Sequence, residues 1–292
     1  MKVERYQINV EFFKKLPKKH KLIISHENRT DRTGSFLGID LLCYAYANYN
    51  NNEFRFYDEK KNKHFNSTIL HTFLGLDLSI QTVNSRHMNI IKINDNNFIN
   101  KINKKNDKDT VILFNDDTKK IEQLMISQTN FDEFFPLQFR KSLYDNFNKV
   151  NPDFPIYFEK GMTNIAIHIR RGDITPNYCA HAYFPNKYFV NLIKKLTKKY
   201  ENPNIHIFSC KSNKEGWCDF EKLNVVLHLR EDWSNDNLKY EKIDIHHFIK
   251  ADVLVIGGTF SYVPAFFNLK TIYYPSTYWH SSLKHWNYYK SK

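Results

Sequence analysis

The chain has 292 residues, of which 41% are hydrophobic, 25% charged and 16% aromatic, and its formal net charge is +12. This composition is that of a globular protein and excludes a disordered or fibrous chain, and the length exceeds what a single core usually organises. The charge is compatible with a nucleic-acid binder, a protein on an anionic membrane or an enzyme for phosphorylated substrates. Because the lysine pairs are scattered, solvated faces explain them equally well, and no nucleic-acid-binding module is present.

The cysteines and the first residues bear on location. The four cysteines form no CxxC pair, so neither a zinc site nor a disulfide scaffold is predicted. The first 15 residues do not resemble a signal peptide, and no segment reaches the roughly 20 apolar residues of a membrane helix. The sequence predicts a cytoplasmic protein, either soluble or in peripheral contact with a membrane.

The first half of the chain has the pattern of a mixed α/β domain. Short apolar runs predict strands over residues 21–25, 53–57, 88–93 and 110–114. Helical spacing predicts helices over residues 39–49, 66–74 and part of 131–150. The segment Thr33–Gly38 is predicted as a loop, and the Asn/Lys-rich stretch 94–109 as a surface excursion.

The second half alternates strands and helices more regularly. The predicted strands are 164–169, 205–209, 225–229, 253–256 and 271–274, and the predicted helices are 186–200, 244–251 and 261–268. Such alternation predicts a parallel sheet in a Rossmann-like domain. Pro152 and Pro155 interrupt the chain before it. We therefore predict an α/β protein with domains 1–150 and 151–292.

The segment Ile165–Asp173, with sequence IAIHIRRGD, carries the most chemical information. Alternation along a strand sends the isoleucines to one face and projects His168 and Arg170 together near the strand's carboxyl end. Ligands of open α/β sheets bind beyond that end, and an arginine fork matches phosphate oxygens. The alternative is a satisfied half-buried histidine beside two surface arginines.

The motif HxRRGD, from His168 to Asp173, resembles the signature of the α-1,2-fucosyltransferases, and a relaxed form of it is shared with the α-1,6- and protein O-fucosyltransferases. Three other segments are similar to blocks of this superfamily and occur in the same order. These are 34–47, which looks like its N-terminal glycine loop and following helix, 205–217 and 251–268.

The resemblance implies a GT-B architecture, in which two Rossmann-like domains face each other across a cleft. It implies an inverting, metal-independent glycosyltransferase that moves a sugar, L-fucose from GDP-fucose in the first instance, to a glycan hydroxyl. Residues 151–292 would hold the donor and residues 1–150 the acceptor, and no cofactor is implied beyond the nucleotide sugar.

By position, the resemblance places Arg170 on the donor's β-phosphate and His168 beside the nucleoside, while Arg171 and Asp173 brace the loop. The donor-binding residues that it implies are His168, Arg170, Arg171, Ser209, Gly257, Gly258, Thr259, Phe260 and Ser261. The N-terminal loop residues that it implies are Gly34, Ser35 and Gly38.

Sugar transfer leaves negative charge on the departing diphosphate, and fixed cations can stabilise it. Since the sequence shows no metal-ligand cluster, Arg170 and Arg171 are the candidates for this role. Asp173 is the candidate base for the attacking hydroxyl, with a structural ion pair as the alternative. Three further acids remain open for that role, namely Asp232, Asp236 and Asp244.

Departures from the family pattern keep other functions open. This chain has Cys210 and Lys211 where relatives carry acidic residues, and Gly257-Gly258 where the α-1,2-fucosyltransferases carry an Asn-Ser pair. The donor can therefore be another GDP-sugar or a UDP-sugar such as UDP-xylose, and the protein can be a non-catalytic glycan or nucleotide-sugar binder. The aromatic C-terminal segment 273–289 is predicted to close the GT-B cleft by packing, with sugar stacking as the alternative.

Overall fold

The computed structural model describes residues 22–26, 33–57, 67–76, 81–83, 89–92, 110–114, 118–178, 182–231 and 237–289. They form two compact units, one within residues 1–66 and 77–136 and the other within 67–76 and 137–292. The predicted boundary after residue 150 lies one helix further along the chain than the boundary between these units. The predicted surface excursion at 94–109 lies outside the described residues.

The elements are numbered in chain order. The strands are β1 Leu22–His26, β2 Glu53–Tyr57, β3 Gln81–Val83, β4 Asn89–Lys92, β5 Thr110–Phe114, β6 Thr163–His168, β7 Pro203–Cys210, β8 Val226–Arg230, β9 Val253–Val255, β10 Thr271–Pro275 and β11 Asn287–Tyr289. The helices are α1 Thr33–Tyr49, α2 Ser67–Leu74, α3 Thr118–Gln128, α4 Leu137–Val150, α5 Asn186–Lys199, α6 Cys218–Glu221, α7 Asn237–Lys250 and α8 Thr259–Phe267. A 3₁₀ turn spans Phe131–Phe134.

The first unit is a parallel sheet in the order β3-β2-β1-β5-β4. Ile23 and Ile24 of β1 are fully buried, as is most of α1. Strands that are buried on both faces read as continuous apolar runs, which is why this segment was recognisable in the sequence.

The predicted glycine loop before α1 is wrong. The helix begins at Thr33, so Gly34, Ser35 and Gly38 lie in its first turns, and both glycines are buried. Glycine costs about 1 kcal/mol relative to alanine in a helix. That cost is outweighed here because α1 is apolar on nearly every side and buries most of its side chains between Phe36 and Ala47.

The second unit is a six-stranded parallel sheet in the order β11-β10-β9-β6-β7-β8. In chain order, β6, β7 and β8 extend from the centre of the sheet to one edge, and β9, β10 and β11 extend from the centre to the other edge. This is the strand order of the dinucleotide-binding Rossmann fold. The α/β class and the parallel sheets predicted from the sequence are confirmed.

Helices cover both faces of this sheet. Ile165, Ile167 and Ile169 pack on the face covered by α5, whose Phe189 and Ile193 are buried against them. His168 points to the opposite face, where its ring lies 5.6 Å from that of Phe248 in α7. The alternation predicted for β6 is therefore confirmed, and the sheet contributes a two-sided core.

Helix α4 is fastened to this unit by a buried arginine. Arg140 is 4% exposed, and its guanidinium donates to the carbonyl oxygens of Phe266, at 3.1 Å, and Asn268, at 2.5 Å. Carbonyls at a helix C-terminus have no intrahelical partner, so Arg140 caps α8. This contact explains why α4 belongs to the second unit.

Replacing Arg140 with methionine is expected to lower the free energy of unfolding by about 3 kcal/mol, because the buried carbonyls lose charged donors. Urea unfolding followed by circular dichroism measures the effect. Lys141→Met is the matched control, since Lys141 is the exposed neighbour on the same helix. Equal unfolding midpoints for the two variants would contradict the capping role.

Candidate functional site

The sheet of the second unit reverses its strand order between β6 and β9. The two strands are paired, with Ile167 opposite Val255, so their carboxyl ends lie side by side. The chain leaves β6 through the Arg170-Arg171-Gly172 segment and leaves β9 through Gly257-Gly258. Ligands of open α/β sheets bind at such a switch point. The structure thus brings together the two segments that the sequence singled out.

Gly257 allows the two strand ends to approach each other. A Cβ atom at this position would lie 1.7 Å from the carbonyl oxygen of His168, a distance at which two atoms cannot coexist. At Gly258 a Cβ would lie 3.4 Å from Cε1 of His168, which the structure can accommodate. The glycine requirement at 257 is therefore one of space rather than of backbone angle.

Gly257→Ala is expected to lower the free energy of unfolding by about 3 kcal/mol, since β9 and β6 must move apart to admit the methyl group. Gly258→Ala is the matched control and is expected to cost much less. Thermal unfolding of both variants measures the difference. If Gly257→Ala were as stable as Gly258→Ala, the close approach of the two strands would be refuted.

His168 is held in one orientation by Ser261. The histidine is 6% exposed, and its Nδ1 lies 2.8 Å from Oγ of Ser261. That Oγ also accepts from the amide of Gly257 at 3.1 Å and lies 3.0 Å from the carbonyl oxygen of Gly258. All three contacts are hydrogen bonds only if Nδ1 carries the proton and Ser261 donates to Gly258. Nε2 of His168 is then an acceptor.

His168 is neutral at physiological pH. Burial is the largest cause, and the charges of Arg170 and Arg171 add to it, so that the pKa of His168 falls to about 3. A neutral imidazole cannot supply positive charge to a phosphate. Its chemical capacity in this position is to accept a hydrogen bond from a ligand hydroxyl or amide.

Arg170 lies just beyond β6 and is paired with Asp173. The Nη2 to Oδ1 distance is 2.5 Å, and the two side chains are 23% and 28% exposed. Gly172 has a φ of 83°, a left-handed conformation that glycine adopts without strain, and it turns Asp173 back towards Arg170. The guanidinium is therefore pre-oriented at the switch point and remains partly accessible to a ligand.

Arg171 is buried, and the structure corrects its assignment to donor binding. It is 1% exposed, and its guanidinium carbon lies 4.7 Å from the ring centre of Tyr183. Its side-chain nitrogens donate hydrogen bonds of 2.8 to 3.1 Å to protein oxygens, those of Arg170, Phe184, Asn186 and Asn213. Because these donors are already used inside the protein, Arg171 braces the loop and does not reach a phosphate.

The other predicted residues differ in their availability. Ser209 is 6% exposed and donates its hydroxyl proton to the carbonyl oxygen of Ile169 at 2.6 Å, so it supports the loop after β6. Thr259 is half-buried, and its Oγ1 lies 2.9 Å from the hydroxyl of Tyr278. Phe260 is half-buried and packs its ring 5.8 Å from that of His168.

Helix α8 begins at Thr259, directly at the switch point. Its N-cap is Gly258, which has no side chain to cap the first amides. The first amides of a helix have no intrahelical acceptors and form the positive end of its dipole, which attracts anions. Arg170 is adjacent, since its Cβ and Cδ lie 3.5 and 3.6 Å from the place of a Cβ at 258. Arginine and helix end together suit a diphosphate.

Of the three remaining candidate acids, the structure describes only Asp244. Asp244 accepts from Nη2 of Arg230 at 2.9 Å, a pair that the sequence did not suggest. Burial raises the pKa of Asp244 to about 7, although the charge of Arg230 counteracts this shift. Asp232 and Asp236 lie outside the described residues. Within the described ranges no group of three or more His, Cys, Asp or Glu side chains could hold a metal ion.

The C-terminal aromatic segment mostly packs in the core. Its buried members are Tyr273, Tyr274, Tyr278, Trp286 and Tyr289. Trp279 and Tyr288 are exposed. Packing therefore accounts for the five buried side chains, whereas closure of a cleft by this segment stays a prediction. In the part of the chain that the structure describes, no helix has the length and apolar character needed to cross a membrane.

Comparison with known proteins finds no matching family model and no matching curated protein. Among solved structures, a mutant of Arabidopsis thaliana FUT1 in complex with GDP is 10% identical, with a TM-score of 0.45, over 90% of this chain and 73% of that one. The E. coli heptosyltransferase WaaC with ADP-2-deoxy-2-fluoro heptose is 10% identical, with a TM-score of 0.42, over 92% of each chain. Membership of the α-1,2-fucosyltransferases stays a prediction.

Proposed function

We propose that the protein is a glycosyltransferase that binds a nucleotide sugar through its second unit and transfers the sugar to an acceptor hydroxyl. The observation that supports this proposal most directly is the position of Arg170. It stands beside the N-terminus of α8, whose N-cap Gly258 has no side chain, at the switch point of a sheet with Rossmann strand order. A diphosphate matches both features, because each presents donors to oxygen anions.

In the proposed reaction, the acceptor oxygen forms a bond to the anomeric carbon while the bond from that carbon to the diphosphate oxygen breaks. The electron pair stays on the diphosphate, and the hydroxyl proton passes to a base. Arg170 and the first amides of α8 stabilise the departing charge, which is greatest in the transition state. We retain inversion and metal independence as parts of this proposal.

His168 has a separate part in the proposal. Its Nδ1 is engaged by Ser261, and its neutral ring leaves Nε2 as an acceptor. An acceptor beside a diphosphate suits a hydroxyl of the nucleoside ribose. Gly258 lies against Cε1 of the same ring, so its lack of a side chain keeps the space beside the imidazole open.

We propose GDP-fucose as the donor, on the resemblance of His168–Asp173 to the fucosyltransferase motif, with another GDP-sugar or a UDP-sugar such as UDP-xylose as the alternative. Thermal unfolding with millimolar GDP, UDP, ADP and CMP tests the proposal. A ligand present at 100 times its Kd stabilises the folded state by about 2.7 kcal/mol. One diphosphate is expected to raise Tm, with and without EDTA, and no shift by any of them would refute the proposal.

A non-catalytic nucleotide-sugar binder is the second candidate, and one observation favours it. Asp173, the candidate base, is ion-paired with Arg170. Because this ion pair already gives Asp173 a structural role, the motif can bind without catalysing transfer. Release of nucleoside diphosphate from the identified donor, in the presence of a panel of glycan acceptors, separates the two candidates. Binding of the donor without release of nucleoside diphosphate would support the non-catalytic candidate.

Asp173→Asn separates a positioning role from a base. If Asp173 only orients Arg170, the variant is expected to keep kcat within about tenfold and to bind nucleoside diphosphate at least as tightly, since a competing carboxylate is gone. If Asp173 is the base, kcat should fall by about 100- to 10,000-fold while affinity is kept. We expect the first result. Calorimetric Kd values and initial rates of the same preparation provide the comparison.

A further inference from the structure

The segment after β10 contains Trp279, a solvent-exposed tryptophan between two buried residues. Trp279 is 41% exposed, although the flanking Tyr278 and His280 are buried. Its ring centroid lies 3.6 Å from that of His280, with 29° between the planes. The ring of His280 in turn lies 4.5 Å from that of Tyr262, at 12°. Trp279 is thus the outermost ring of a stacked column rooted in α8.

The column is fixed before any ligand arrives. The hydroxyl of Tyr262 donates to the carbonyl oxygen of Ser281 at 2.6 Å, and that of Tyr274 donates to the carbonyl oxygen of His280. The amide of Ser276 donates to the carbonyl oxygen of Tyr289 at 3.1 Å. A side chain on a segment held in this way loses little freedom on binding, which favours affinity.

The column stands next to the proposed diphosphate site. Oγ1 of Thr259, the first residue of α8, lies 2.9 Å from the hydroxyl of Tyr278 and 3.3 Å from Nε2 of His280. These contacts connect the residues on both sides of Trp279 in the chain to the helix end beside Arg170. Because His280 covers one face of the indole, its exposed area lies on the other face and the ring edge.

The position of Trp279 relative to the switch point determines which part of a bound nucleotide sugar its indole ring can contact. In sheets of this order the two halves of a dinucleotide lie on opposite sides of the switch point, and the first half takes the nucleoside that adjoins the first strand. Here β6 is the first strand, and His168 at its end offers an acceptor to a ribose. Trp279 follows β10 and therefore belongs to the other side of the switch point. A ligand whose ribose meets His168 would extend towards that side beyond its diphosphate.

We propose that Trp279 is a specificity-determining residue whose outer face stacks on the transferred sugar of the nucleotide sugar. The inference deepens the proposed function and rests on it. A flat apolar surface beside fixed polar groups is the usual composition of a small-molecule site, and an indole face fits the C–H face of a pyranose. Trp279 acts on the sugar and not on the nucleoside diphosphate.

The test compares ligands that differ only in the sugar. Calorimetry measures Kd of GDP and GDP-fucose, and of UDP and UDP-glucose, for the wild type, Trp279→Ala and Trp279→Phe. Trp279→Ala is expected to weaken the nucleotide sugar about tenfold and to leave the nucleoside diphosphate within about twofold, while Trp279→Phe keeps most of the affinity. Leu137→Ala is the control, since Leu137 is a 57% exposed apolar residue on α4.

Three results would overturn the inference. An equal loss for GDP and GDP-fucose would place the indole on the nucleoside, and no loss for either would remove it from the site. Both results require that the wild type binds nucleotide, so the proposed function would survive them. A wild type that binds none of these four ligands, and neither ADP nor CMP, would refute the proposed function and the sugar contact together. Thermal unfolding of each variant establishes that it is folded.

Discussion

Replacing Arg170 with alanine is expected to lower kcat/KM for sugar transfer by about 100- to 1,000-fold, the usual loss when one preorganised electrostatic donor is removed. The expectation follows from its position beside the N-terminus of α8, where its Nη2 is held by Asp173 at 2.5 Å. Arg170→Lys should recover only part of the loss, because an ammonium group cannot present two parallel donors to a phosphate. Initial rates with the donor identified by thermal unfolding provide the measurement.

The matched control for Arg170 is another cation at the same edge of the sheet. Lys211 follows β7, is exposed, and pairs with Glu231 at 2.8 Å. Lys211→Ala removes the same charge and should leave kcat/KM within about threefold, because exposed ion pairs contribute little. If Arg170→Ala behaved like Lys211→Ala, the arginine would not contact the diphosphate, and the proposed site would be wrong. Stability should change little in either variant.

The second unit is expected to lose stability steeply as the pH falls below about 6.5, because it buries neutral histidines. Burial lowers the pKa of His206 and His247 to about 4, and that of His168, His228 and His246 to about 3. In the unfolded chain these histidines have their ordinary pKa of 6.5. As the pH falls, the unfolded state therefore binds protons before the folded state does, and the free energy of unfolding decreases. Stability is therefore fully present above pH 6.5 and is lost down to the folded-state values.

The structural cause is clearest at His247, which is fully buried. Its Nε2 accepts from the amide of Tyr157 at 2.8 Å, and its Nδ1 lies 2.6 Å from the carbonyl oxygen of Ile243. Protonation would turn the acceptor into a donor facing another donor. At pH 5, one such histidine costs about 2 kcal/mol. Asp244, whose pKa burial raises to about 7, has the opposite sign and offsets one histidine over this range.

Urea unfolding between pH 7.5 and pH 4.5, followed by circular dichroism, measures this dependence. The variant His228→Phe removes one of these groups and keeps the aromatic stack, since the ring of His228 lies 4.6 Å from that of Phe208 at 13°. It should shift the acid midpoint to lower pH. A stability that stays constant from pH 7.5 to pH 4.5 would show that these histidines are not buried in neutral form.

Prediction from the sequence succeeded where the determinant is local. The apolar alternation of β6 and the amphipathic spacing of α5 placed both elements within a residue of their observed bounds. The short strands β3 and β11 were not predicted, because neither has the continuous apolar run that identified the equally short β9. The start of α1 was missed because buried contacts there outweigh the helix cost of two glycines.

The site shows the same division. The segment HIRRGD indicated by itself that His168 and Arg170 project together near the carboxyl end of a strand, because the alternation of side chains along a strand is a local property. Only the tertiary structure decided which arginine is available. Arg171 is enclosed by acceptors from Phe184, Asn186 and Asn213, whereas Arg170 meets Asp173 at the switch point. Burial and partnership depend on residues that are distant in the chain, so adjacent arginines of equal chemistry acquire different roles.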